Sequence, residues 1–194
     1  MMGLMSGTFV AVVGPSGAGK DSLIGFARQE LRRDTRFVFA RRMITRPPDV
    51  AEDHKAVDEL EFKRLAAAGA FALSWEAHGL HYGIPADVHA DLARGKTVIA
   101  NLSRGVLSSL RNRFSRAMVV EITAPPETLA ARLAHRARES ADGQALRLRR
   151  SDAVVLSVVA DATIVNDGDL RDAGDVFVNT LLRVITPSTM MFGL

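Results

Sequence analysis

Residues 14–22 read Gly-Pro-Ser-Gly-Ala-Gly-Lys-Asp-Ser (GPSGAGKDS), and this stretch decides the fold. A glycine, four residues, then Gly-Lys is the skeleton of a phosphate-binding loop. Its glycines let the backbone curl so that successive N–H groups point at phosphate oxygens. A helix that follows adds its positive N-terminal end. The flanks supply that context. Thr8–Val13 (TFVAVV) is a short apolar run, rich in β-branched residues, that suits a strand buried on both faces. From Asp21 to Arg32, apolar residues fall at Leu23, Ile24, Ala27 and Leu31, which is helical spacing. The motif therefore sits between a strand and a helix, and Gly14, Pro15, Ser16, Gly17, Ala18, Gly19, Lys20, Asp21 and Ser22 are the expected nucleotide-binding residues.

Lys20 is positioned to reach the β- and γ-phosphates and follow the transferring group. The next residue in such loops is Ser or Thr, which holds the magnesium ion of the bound nucleotide. Here it is Asp21, with the hydroxyl one place later at Ser22. A carboxylate is a harder magnesium ligand than a hydroxyl but brings negative charge towards the triphosphate. Asp21 and Ser22 are the candidate metal ligands. Asp21 is equally suited to starting the helix, where an acidic side chain is favoured.

Further buried-strand candidates are Thr97–Ala100, Ala117–Ile122 and Ala162–Val165, with helical spacing over Val106–Phe114, Pro126–Arg138 and Asp172–Val184. Strands alternating with helices predict an α/β fold: a parallel central sheet between two helical layers. Two stretches break the rhythm. Residues 42–95 are polar and irregular, and residues 135–151 are dense in charge. The 194 residues divide into a core (1–41, 96–132, 152–194), an inserted acceptor-binding flap (42–95) and an arginine-rich lid (133–151), all one domain.

Composition narrows the class. Hydrophobic residues make up 47% and charged residues 24%, so a buried core is expected. There is no cysteine, which excludes disulfides and thiolate metal sites. Net charge is +3, and lysine occurs only at positions 20, 55, 63 and 96, so most positive charge is arginine, the better fork for phosphates. So small a net charge gives no reason to expect nucleic acid as a partner. The opening MMGLMSGTFVAVVG lacks the features of a signal peptide, and no apolar run is long enough to span a membrane. A cytoplasmic protein with no membrane association is expected.

The ordered set GPSGAGKDS, ITRPP (44–48), EDH (52–54), FALSWEAHGLHYGIP (71–85), TAPPETLAARLAHRARES (123–140) and VNDG (165–168) resembles the ribose 1,5-bisphosphate phosphokinases of bacterial phosphonate catabolism. These belong to the guanylate-kinase-like group of P-loop kinases. The resemblance runs from residue 8 to about residue 170 and includes the distinctive Lys-Asp-Ser loop end. It implies ATP with magnesium, and transfer to the 1-phosphate of ribose 1,5-bisphosphate, giving 5-phospho-α-D-ribose 1-diphosphate. It also implies a monomer or homodimer.

The resemblance further implies a partly retained acceptor-phosphate grip. Arg46 takes the first arginine position of guanylate kinases, and Asp49 replaces the second. His54 and Tyr82 align with two phosphate-holding tyrosines, and Arg41 and Arg42 lie near enough to supply missing charge. Where those kinases read guanine, Leu73 and Ile84 stand in place of a carboxylate and a hydroxyl. Each leaves a polar base edge unpaired, at about 1–3 kcal/mol per group. Asn101 and Ser103 replace acidic residues and suit a sugar or phosphate. Glu76 is a candidate for sugar hydroxyls. In the lid, Arg136 and Arg147 match positions that neutralise the transferring phosphoryl group, so Lys20, Arg136 and Arg147 are the expected catalytic residues. Asn166 and Asp167 resemble the adenine-side loop of this group. Two other readings stand beside this one: a guanylate-type nucleoside monophosphate kinase and a non-catalytic guanylate-kinase-like binding module.

Overall fold

The structure, a computed structural model, describes residues 7–47, 53–139 and 159–185, with side chains of 136–139 excepted. Five parallel strands form the central sheet: β1 (Phe9–Val13), β2 (Phe37–Phe39), β7 (Thr97–Asn101), β8 (Ala117–Thr123) and β9 (Ala162–Val165), in the order β2-β7-β1-β8-β9. β1 is central because it is apolar on both faces. Phe9, Ala11 and Val13 pack to one side, Val10 and Val12 to the other, and all five are fully buried.

Helix α1 (Lys20–Glu30) and the last helix among the described residues, α6 (Leu170–Ile185), cover the Val10/Val12 face through Leu23, Ala27, Phe177 and Leu181. The opposite face is covered by α3 (Val88–Ala93) and α4 (Leu107–Arg113) through Leu92 and Leu110, with Phe114 stacked on Phe9 at 4.0 Å. α5 (Pro126–Glu139) follows β8. This is the expected three-layer arrangement, and the four strands and four helices expected of the core all form, with ends shifted by no more than two residues. β2 was not expected: three residues, Phe-Val-Phe, at a sheet edge carry too little pattern to separate from a loop.

The flap has more order than its sequence suggests. β3 (Met43–Ile44), β4 (Lys55–Ala56), β5 (Phe71–Ala77) and β6 (Leu80–Pro85) form a second, mixed sheet in the order β4-β3-β6-β5. β5 and β6 make a hairpin, whose turn residues His78 and Gly79 have φ of 55° and 70°. Positive φ at both turn positions matches the twist of the strands. α2 (Glu59–Ala67) braces it: Asp58 accepts from Glu61 N–H at its start, and Phe62 stacks on Phe71. Ala72, Leu73 and Ile84 enter the core cluster of the main sheet, which anchors the flap. No helix among the described residues is long and apolar enough to cross a membrane.

Candidate functional site

A cavity of about 590 Å³ opens between the carboxyl ends of β1 and β7 and the flap hairpin. Its floor is the phosphate loop. Gly14, Gly17 and Gly19 have φ of 144°, 87° and 86°. A Cβ at Gly14 would stand 1.9 Å from the Ile122 carbonyl oxygen, and one at Gly19 would stand 2.4 Å from Asn166 Nδ2. Only glycine fits at either place, so the loop sits tight against β8 and the loop after β9. Lys20 Nζ donates to the carbonyls of Gly14 (2.8 Å) and Pro15 (3.0 Å), which holds the ammonium over the loop.

Asn166 and Arg132 brace the loop from behind. Asn166 is buried and donates through Nδ2 to the Ala18 carbonyl at 2.8 Å. Arg132 Nη1 donates to the Asn166 carbonyl at 2.9 Å and lies 3.4 Å from the Gly17 carbonyl. Neither residue lines the cavity. Ser22 is exposed on α1 and lies outside the cavity wall as well.

Asp21 faces the cavity and is held there. Asn101 Nδ2 donates to its Oδ1 at 2.7 Å, and Arg42 Nη2 lies 3.6 Å from the same oxygen. Arg42 is buried, donates through Nη1 to the Asn101 carbonyl, and places its guanidinium 6.0 Å from the Tyr82 ring centre. The loop end, β7 and the flap sheet thus meet in one network of Asp21, Asn101, Arg42 and Tyr82. Asp21 Oδ2 receives no hydrogen bond from the described residues.

The flap wall carries Arg46, Tyr82, Trp75 and Glu76. Trp75 stacks on Tyr82 (5.3 Å, 7°), and its indole N–H donates to Ser103 Oγ at 2.9 Å. So Trp75 joins the flap to the turn after β7 as well as packing. His54 is buried and away from the cavity. Its Nε2 donates to the Arg46 carbonyl at 3.3 Å, so it holds the loop that presents Arg46. Arg104, in the single turn Arg104–Val106 after β7, also lines the cavity. The sequence offered one signal for it, its place directly after Ser103. Cations at Lys20, Arg42, Arg46 and Arg104 face carboxylates at Asp21 and Glu76, so the cavity favours anions.

The lid expectations fall largely outside the described residues. Arg136 belongs to α5, but its side chain, like all of Arg147, is not among them.

The chain is 50% identical over 178 residues to the ribose 1,5-bisphosphate phosphokinase PhnN of Acidiphilium cryptum, covering 92% of this chain and 94% of that one. It is 48% identical over 169 residues to the protein of the same name from Methylobacterium radiotolerans, covering 87% of this chain and 94% of that one. The chain belongs to the ribose 1,5-bisphosphate phosphokinase family. No protein-family model matches it. Among solved structures, the guanylate kinase of Anaplasma phagocytophilum superposes with a TM-score of 0.68 over 95% of this chain and 89% of that one. At 20% identity, that likeness shows the guanylate-kinase-like fold. Leu73 and Ile84 are buried in the core, at 4% and 0% exposure, and neither lines the cavity.

Proposed function

We propose that this protein transfers the γ-phosphoryl group of ATP to the 1-phosphate of ribose 1,5-bisphosphate, giving 5-phospho-α-D-ribose 1-diphosphate and ADP. One observation carries the choice of acceptor: an anion-favouring cavity adjoins the phosphate loop, and Leu73 and Ile84, the positions expected to read guanine, lie in the core outside the cavity wall and offer a base no partner. A guanine edge would lose about 1–3 kcal/mol per unpaired group there. A compact sugar bisphosphate asks only for cations and hydroxyl partners.

The acceptor phosphate is already anionic near neutral pH, so no general base is required. A phosphate oxygen forms the new bond to the γ-phosphorus as the bond from that phosphorus to the β-bridging oxygen breaks, and ADP carries away the electron pair. Lys20 neutralises the β- and γ-oxygens, and Arg46 with Tyr82 aligns the acceptor. Arg42 adds charge from beneath Tyr82. Arg136 and Arg147 neutralise the transferring group in this reading. Glu76, exposed on the hairpin, meets the sugar hydroxyls.

A divalent ion, magnesium in this reading, fits the chemistry at Asp21, whose carboxylate lines the cavity. Such ions bind through one or two carboxylates plus the substrate's phosphates. Bound there, magnesium supplies neutralisation of the triphosphate charge. The loop braced by Asn166 accepts the ATP phosphates, and the enzyme works as a soluble cytoplasmic monomer or homodimer.

The test is an acceptor panel with ATP and magnesium, comparing ribose 1,5-bisphosphate with guanosine monophosphate by phosphorus NMR. A new diphosphate resonance from the sugar is expected. Faster turnover of guanosine monophosphate would overturn the reading in favour of a nucleotide kinase.

A further inference from the structure

We infer that Arg104 and Ser103 form a second anion subsite in the acceptor cavity, which takes the 5-phosphate of the sugar while Arg46 and Tyr82 hold the phosphate that reacts. The inference rests on the sugar-bisphosphate reading and adds the residues that recognise the second phosphate.

The first argument is charge. A phosphate monoester carries about −1.5 to −2 near pH 7, so a sugar bisphosphate brings two such groups to one cavity. Of the cations on the wall, Lys20 is held over the nucleotide loop and Arg42 lies against Asp21. Arg46 stands on the flap loop, leaving Arg104 on the turn after β7 as a cation for a second phosphate.

The second argument is hydrogen-bonding capacity. Arg104 is only 19% exposed, and its one ionic partner among the described residues is Glu121 on β8, reached from Nη2 at 3.3 Å. Its Nε is buried and has no acceptor among the described residues. With a single long ionic contact from Nη2, the guanidinium end of Arg104 keeps Nη hydrogens for a further anion in the cavity that it lines. Ser103 is prepared in the same way. Its Oγ accepts the Trp75 indole N–H at 2.9 Å, so its own proton is left to donate. Ser109, also on the wall, spends its proton on the Val106 carbonyl at 2.9 Å and offers no such donor.

The third argument is layout. Trp75 is stacked on Tyr82 on one side and hydrogen-bonded to Ser103 on the other. It therefore stands between Tyr82 and Ser103, and in the inferred layout the sugar bridges the two phosphate sites across the indole.

The experiment pairs removal of Arg104 with removal of the substrate group it is assigned. Arg104→Gln and Arg104→Lys are assayed with ribose 1,5-bisphosphate and with ribose 1-phosphate, and their binding of ribose 5-phosphate is measured by calorimetry. For Arg104→Gln, kcat/KM with the bisphosphate is expected to fall about 10- to 100-fold, the range of a lost charge-assisted hydrogen bond. Ribose 1-phosphate is expected to change less than about twofold, and Arg104→Lys to lose less than the Gln variant. An equal fall with both substrates would show that Arg104 acts through Glu121 alone, and the subsite would be refuted. If Arg104→Gln fails to fold, Arg104→Lys, which keeps the Glu121 pair, decides between the same two outcomes. If the wild type turns over neither sugar, the proposed function fails, and calorimetry still judges the subsite: ribose 5-phosphate binding weakened by Arg104→Lys supports it, unchanged binding overturns it.

Discussion

Lys20 and Asp21 are neighbours on the first turn of α1 and face the same cavity with opposite charge. Replacing Lys20 by Ala removes the ammonium held over the loop, and kcat should fall by at least about 100-fold, the scale of a lost transition-state charge contact. Thermal unfolding should be little changed, because the side chain is only partly buried and donates to carbonyls at the loop surface. Asp21→Asn separates two roles. It keeps an acceptor for the Asn101 amide but loses the charge that faces Arg42 and, in the proposed reading, a divalent ion. The expected result is a rate lowered about tenfold or more, with more magnesium needed for half-maximal activity. A raised KM for the acceptor at unchanged magnesium dependence would make Asp21 a strut for Arg42 and remove it from the metal site. The spacing of the motif made these residues legible. That Asn101 reaches Asp21 from 80 residues away was not.

Among the elements, the main sheet was readable because β1, β7 and β8 are mostly apolar runs long enough to exclude a turn. The flap sheet was not, because β3 and β4 are two residues each and β5 alternates only in part. Helix α6 rests on α1 and the sheet through Phe177, which is fully buried. Phe177→Ala should cost about 3–5 kcal/mol, lowering the melting temperature by roughly 6–20 °C in calorimetry. Asp53 ties the flap to α1 more lightly, pairing with Arg28 and Arg41 at 2.7 Å each. Burial pushes its carboxyl up, but the hydrogen bond from Arg28 and the charges of Arg28 and Arg41 outweigh this, and the group sits below its ordinary 3.8. The pair therefore stabilises the fold above that value, and its contribution disappears as pH falls through the lowered one. With about half of Asp53 exposed, Asp53→Asn should cost under about 1 kcal/mol at neutral pH. Denaturant titrations should show wild type and variant converging below about pH 4.

For the whole molecule, the cavity is assembled from walls far apart in the chain: the loop after β1, the flap hairpin and the turn after β7. Its arginines and Lys20 act together as an anion trap, so raising salt from about 0.05 to 0.5 M should raise KM for the sugar bisphosphate several-fold and change kcat less. A salt-independent KM in steady-state assays would argue against charge as the basis of acceptor binding. By itself, the sequence determined the parallel sheet, the phosphate loop and the family, because runs of apolar residues and glycines at fixed spacing act locally and leave a local record. Only the tertiary structure decided that His54 and Asn166 are braces behind the loops, that Trp75 spans the acceptor cavity, and that Arg104 enters it. Those roles depend on which strands lie side by side and which way a side chain turns once buried, and residues distant in the chain carry no mark of that until the sheet brings them together.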